Sequence, residues 1–233
     1  VSSQPPARER VTRARVLAEA LRLVDERGIE GLSMRRLGEA CGVEAMSLYH
    51  HVPDKAAVLD GISEAVYADI RLPETPDAMS WPEALGEGAR ALRAALLRHP
   101  GAVPVLATRP ASHAEYWRLA EWLSRAMGPL GLRPLTTVYV VNAVSLYVVG
   151  TTIGQVGISP VRATQLTEEL LAARLASVPA QDYPHATGLM SSVDASAFDW
   201  DELFETGLAA LLDGLRRHVE RLTGCGGQPN TSV

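Results

Sequence analysis

Two short helical patterns that meet at a glycine, within residues 33–55, limit what this chain can fold into more than any other segment. Ser33 is placed to cap a helix over Met34 to Cys41, with Leu37 and Ala40 on its inner side. Gly42 ends that helix, and a second short one is expected from Ala45 to His51. Small Ala40 and apolar Val43 suit a tight crossing of the two helices. Gly42 supplies the backbone freedom that a sharp turn needs. The pattern is that of a helix-turn-helix.

The sequence on either side is helical as well. Thr12 is a candidate N-cap and Gly28 a candidate stop for a helix carrying Val16, Leu17, Ala20, Leu21 and Val24 on one face. Asp54 caps a helix from Lys55 to about Ile70. Pro73 and Pro76 punctuate a connector, and helical spacing resumes over Trp81–His99 and His113–Met127. A short segment, Ala102–Ala107, and the turn Thr108-Arg109-Pro110 lie between them. The nearly unbroken apolar run 138–154 holds about 17 residues, against roughly 20 needed to cross a bilayer. It also contains Asn142, Ser145, Thr151 and Thr152, so a fully buried helix and no membrane partner are expected. Residues 178–197 read as a mobile loop, and a last amphipathic helix spans about Asp201–Leu222. The fold class is all-α: an N-terminal three-helix helix-turn-helix domain over 12–70 and a larger helical domain over 71–222. Residues 1–11 read as a flexible arm and 223–233 as a disordered tail.

Several function classes fall away. Two cysteines, Cys41 and Cys225, make neither a disulfide framework nor a four-cysteine zinc site, and a reducing cytoplasm is the simplest location. No secretory signal is expected, because residues 1–15 hold four Arg and no apolar core. No G-x-S-x-G, H-E-x-x-H or Walker loop occurs, and no dinucleotide fingerprint follows a strand, since Gly86-Glu87-Gly88 lies inside a helical pattern; no catalytic residue, cofactor or metal is assigned. Adjacent His50 and His51 point about 100° apart on a helix and do not make a ligand pair. The net charge of −5 argues against non-specific coating of nucleic acid. The 21 Arg against one Lys hint at a GC-rich gene and carry little phosphate signal by themselves. Residues 1–60 balance at nine basic and nine acidic side chains.

The second helix of the pair still has the chemistry of a base-reading element. Ala45, Met46 and Ser47 at its start are short or apolar, suited to thymine methyls and close backbone approach. Tyr49, His50 and Lys55 can reach phosphate oxygens, and the helix that starts at Lys55 offers amides to another phosphate. The rival readings are a helical hairpin without a DNA role, that is, a small-molecule-binding scaffold, and an enzyme assembled from scattered residues.

The segment GIEGLSMRRLGEACGVEAMSLYHHVPDKAAVLDGI, residues 28–62, resembles the N-terminal domain of the TetR family of bacterial transcriptional repressors. Its most specific part is SLYHHVPDKAAVLD. The stretch RAALLRHPGAVPVLATRP, residues 93–110, followed by Tyr116 and the long helix through Gly150, is similar to the effector domain of the tetracycline-repressor subgroup. The resemblance implies a homodimer that binds a palindromic DNA operator in the major groove and is released by a small-molecule effector. Carried over by position, Met34, Arg35, Ala45, Met46, Ser47, Tyr49, His50, His51 and Lys55 fall at DNA-contacting positions. The helices near 135–156 and 201–222 correspond to the family's dimerisation bundle, with Gly150, Gly154, Leu208, Leu211 and Leu215 at the interface.

The ligand is where this sequence departs from the subgroup. Val105 stands where a metal-binding His would fall, and Glu87, Ala91, Trp122 and Leu146 replace other drug-contacting groups, so a magnesium chelate is not expected. Thr108 matches, and Arg109-Pro110 keep the switch turn. From the first half of the effector domain, Leu92, Leu96, Val105, Thr108 and Arg109 are candidate ligand contacts. From the second half come Tyr116, Leu119, Trp122, Met127, Tyr139, Asn142, Leu146 and Tyr147. The mix is mainly apolar with a few hydrogen-bonding groups, which suits a hydrophobic, partly aromatic molecule. Asn142 is expected to be buried and in need of a partner.

Overall fold

Capping signals close in sequence set the first helices. In the computed structural model, which describes residues 11–157 and 168–224, α1 spans Arg13–Arg27, with the Thr12 hydroxyl accepting from the Arg15 amide at 3.2 Å. Gly28 ends it at φ 70°. α2 (Met34–Cys41) starts at Ser33, whose hydroxyl accepts from the Arg36 amide at 3.2 Å. Gly42 follows in the left-handed region, at φ 71° and ψ 30°. α3 is shorter than expected, Ala45–Leu48, and continues as a turn in which the His51 and Val52 amides both donate to the Leu48 carbonyl. α4 spans Lys55–Ala68 and is capped by Asp54, which accepts from the Ala57 amide at 2.8 Å.

The remaining described helices are α5 (Trp81–Arg98), α6 (Val103–Thr108), α7 (Ala114–Met127), α8 (Pro134–Val156), α9 (Glu168–Ala176), α10 (Pro184–Ser191) and α11 (Trp200–Gly224). No strand occurs among the described residues. One apolar cluster runs from Val16 in α1 to Val219 in α11, so the two halves share a core. α1 packs on the turn 100–102, α4 on α7, and α5 on both α7 and α8. The expected arm and tail lie almost wholly outside the described residues.

Two expectations need correction. The segment 178–197 is not one loop: Pro184 opens α10, and a 3-10 turn follows at Ala195–Ala197. Proline suits the first turn of a helix, where its missing N–H is not needed. The apolar run 138–154 is not fully buried either. It lies in a 23-residue helix, so length does not exclude a membrane span. Within one chain α8 buries only the i, i+4 stripe Val140, Val144, Val148 and Thr152. Tyr139 and Leu146 remain 64% and 71% exposed.

Candidate functional site

The helix-turn-helix owes its tightness to a residue that pattern reading passed over. A Cβ on Gly38 would stand 2.9 Å from the Val43 carbonyl oxygen and 3.0 Å from the Ala45 nitrogen. The backbones of α2 and α3 therefore cross at Gly38. Its carbonyl also accepts from the Val43 amide at 2.9 Å. The signal available in the sequence was a glycine inside a helix, which costs helix stability and needs a packing reason.

This crossing, with Leu48 buried beneath it, presents the rest of α3 outward. Met46, Ser47, Tyr49 and His50 are exposed, Met46 by 72%. Ala45 and His51 are half-buried. Met34 is half-buried against the core, while Arg35 stands out and pairs with Glu39 at 2.9 Å. An exposed pair of this kind holds its partners loosely. Lys55 is exposed and has no ion pair among the described residues. The start of α4 is less open to an anion than expected, because the Asp54 carboxylate already takes the Ala57 amide.

α4 leads from this surface to a second feature. A cavity of about 200 Å³ opens between α4, α5, α6, α7 and α8. Tyr67 of α4 and Tyr116 of α7 form one wall; Leu92, Leu119, Leu123 and Val141 form the apolar interior, and Asn142 and Leu146 are exposed on its α8 side. A narrow slot continues past Leu85 and Gly88. None of the lining residues is charged. A larger apolar hollow, about 330 Å³, lies between α9, α10 and Phe198 and touches no residue of α4.

The candidate ligand contacts separate accordingly. Leu92, Tyr116, Leu119, Asn142 and Leu146 line the cavity. Leu96, Val105 and Met127 are core residues with at most 2% exposure, turned inward by α5, α6 and α7 respectively. Trp122 is buried, and its indole N–H donates to the Pro73 carbonyl at 3.0 Å, stapling the connector to α7. Tyr147 faces α11, where its hydroxyl reaches the Phe204 carbonyl at 2.9 Å beside Gly207. Thr108 bonds back to the Pro104 carbonyl at 2.7 Å, and Tyr139 is on the open side of α8. Asn142, expected to be buried, is exposed. Tyr67 was missed: it lies off the Val58–Ile62–Val66 stripe that marks the inner face of α4.

Side chains from α6 and α7 tie α4 to the cavity wall. Arg109 pairs with Asp60 at 2.6 Å. The Arg118 guanidinium donates to the Tyr67 and Ile70 carbonyls, both at 3.2 Å. His113 is half-buried and caps α7. Its Nδ1 accepts from the Tyr116 amide at 3.2 Å, which leaves Nε2 to carry the proton toward the Ser63 hydroxyl at 3.1 Å. Burial holds the His113 pKa below its ordinary value. His99 joins the two halves. Its Nδ1 lies 2.9 Å from Asp25, which also accepts from the Gly101 amide at 3.1 Å.

The interface candidates divide as well. Leu208 is fully buried inside its own chain, and Gly154 faces Trp200. Leu211 and Leu215 are half-buried against the core. Gly150 has open space where a Cβ would point.

Comparison with known proteins agrees with this layout. Residues 16–62 match the model for bacterial regulatory proteins of the tetR family, and residues 72–219 match the tetracyclin repressor-like C-terminal domain. An HTH-type transcriptional regulator of Saccharopolyspora erythraea is 30% identical, over 88% of this chain and 84% of the relative. The HTH-type transcriptional repressor DrrR1 of Streptomyces coeruleorubidus is 32% identical, over 92% of this chain and 80% of the relative. The Streptomyces coelicolor TetR family protein ActR, solved in complex with actinorhodin, superposes with a TM-score of 0.73 at 26% identity, covering 91% of this chain and 99% of ActR. A helix-turn-helix unit within α1–α4, a cavity walled partly by α4 and two family models that together span most of the chain lead to one assignment: the chain belongs to the tetR family of bacterial regulatory proteins.

Proposed function

We propose that this chain is a ligand-responsive transcriptional repressor. It acts in the cytoplasm as a homodimer, each copy placing α3 in the major groove of a palindromic operator. A small apolar, partly aromatic molecule in the cavity releases it. Residues 12–70 form the reading head and 71–222 the effector and pairing part. Ala45, Met46 and Ser47 face base edges, while Tyr49, His50 and Lys55 hold phosphates. The role is regulatory rather than catalytic.

One observation carries this reading: α4, which starts at Lys55 beside the DNA-facing surface, supplies Tyr67 to the cavity wall. The ties from Arg109, His113 and Arg118 make α4 move with α6 and α7. A molecule that spreads these helices changes the angle and spacing of the two reading heads. A ligand shifts such an equilibrium only by its difference in affinity for the two states. The ActR complex with actinorhodin supports the class of effector. The half-exposed apolar α8 supports pairing, because a single chain leaves Leu146 and Tyr139 in water.

Selection of binding sites from a random duplex library tests the reading. A palindrome with half-sites one helical turn or slightly more apart is the expected product. Failure to enrich any sequence, repeated after unfolding and refolding to strip a carried ligand, would leave a helical small-molecule-binding scaffold instead.

A further inference from the structure

The walls of the cavity specify more than an apolar guest. No lining side chain carries a charge, so an ionic group that entered would lose its hydration without a counter-ion. Two aromatic rings stand on the α4–α7 side. Tyr67 and Tyr116 meet edge to face with centroids 5.8 Å apart, and His113 holds the Tyr67 ring from another side at 5.1 Å. Neither phenol hydroxyl hydrogen-bonds another described residue. The other polar groups differ. The Ser145 hydroxyl already donates to the Val141 carbonyl at 3.0 Å, and Asn142 is exposed. The free inner donors are thus the two tyrosines. Burial pushes the Tyr67 pKa up to about 12, so its proton stays on the oxygen throughout the neutral range.

We propose that Tyr67, seconded by Tyr116, is a specificity-determining donor that selects flat uncharged molecules carrying a carbonyl-type oxygen at the α4–α7 wall. The inference rests on the cavity being the effector site. Neither hydroxyl is a buried atom without a partner, so each is open to the cavity, and a guest of that kind exchanges its water contact for a direct bond. The ring contacts fix the direction of the hydroxyl beforehand, which lowers the cost of binding. The bond is made on α4 itself, so the same contact that selects the guest pulls on the helix leading to the reading head.

Equilibrium dialysis of the full chain with 9,10-anthraquinone and with anthracene, which share shape but not carbonyls, tests the assignment. The ratio of anthraquinone to anthracene affinity is expected to fall roughly three- to tenfold in Tyr67→Phe, the loss of one hydrogen bond. Anthraquinone-2-sulfonate is expected to bind wild type at least about tenfold more weakly than the neutral quinone. An unchanged ratio in Tyr67→Phe, or equal binding of the sulfonate, would overturn the proposal. Leu119→Trp fills the cavity, with Ala120→Phe as the substitute should that variant not fold. Either is expected to abolish quinone binding. If filling abolishes binding while Tyr67→Phe keeps the ratio, the tyrosine assignment alone fails. If filling changes nothing, or wild type binds neither probe, the effector cavity fails with it.

Discussion

Gly38 shows how much of this protein's chemistry rests on a single missing methyl. A Cβ there meets backbone, not a flexible side-chain end, within 3.1 Å on three atoms. Gly38→Ala is expected to cost about 1–3 kcal/mol through overpacking and to tilt α3 against α2. Urea titration reads the first effect and operator gel shifts the second; unchanged stability would mean that the turn simply opens. Lys55 and Tyr49, the proposed phosphate contacts, lie at the other end of the same unit. Either residue changed to Ala should weaken binding to all operators alike and shrink the slope of log K against log salt by about one for the lysine. A slope equal to wild type removes Lys55 from the phosphate contacts. The caps at Thr12, Ser33 and Asp54 were legible in the sequence, because each is a contact over three residues. The placements of Tyr67, Trp122 and Tyr147 were not. Each is fixed by a partner about 50 residues away, in His113, Pro73 and Phe204.

At the scale of the element, α7 depends on an unusual cap. His113 accepts from the Tyr116 amide through an unprotonated Nδ1, and that bond vanishes when the ring takes a second proton. Its pKa is lowered in the folded chain, chiefly by burial, with Glu64, Glu115 and Asp60 opposing. Between the folded value and the unfolded value of about 6.5, the unfolded chain binds more protons at this site. Its contribution to stability is therefore complete above about pH 6.5 and is lost as pH falls through the window below. Thermal melts from pH 7.5 to 5 should show this decline. In His113→Asn, which keeps a cap acceptor and cannot titrate, the decline should be shallower by this one group's share. An identical pH profile in the variant would mean that other carboxylates and histidines account for it. α10 shows the opposite lesson about elements. Its Ser, Gly, Ala and Pro composition reads as loop, yet Pro184 stands at the first turn of eight helical residues, where proline is suited.

On the scale of the whole molecule, α8 decides what the chain does in solution. Its apolar residues were plain in the sequence, but whether they face a core, a lipid or a second copy is settled by what surrounds them. Inside one chain a single stripe is covered, by α5, α6 and α11. The opposite side keeps Leu135, Val138 and Tyr139 exposed. Gly150 lies in the same helix with nothing within 4 Å of where its Cβ would be, although glycine inside a helix costs roughly 0.5–1 kcal/mol against alanine. That cost has a reason if another backbone approaches there, as the proposed dimer requires. Gly150→Arg places a long charged side chain on a surface that the chain itself does not use. It should leave helical content and the monomer's fold intact while weakening self-association by a factor of about ten or more, since a buried unpaired charge is a severe penalty. Leu215→Glu is a less clean probe, because Leu215 also packs on the chain's own core. Sedimentation equilibrium across a hundredfold range of concentration separates the outcomes. A Gly150→Arg protein that remains dimeric would move the pairing surface off this part of α8. One that is monomeric, folded and unable to hold a two-half-site operator, yet still binds anthraquinone, would separate pairing from effector capture although Gly150 follows the cavity residues Asn142 and Leu146 at four-residue spacing along α8.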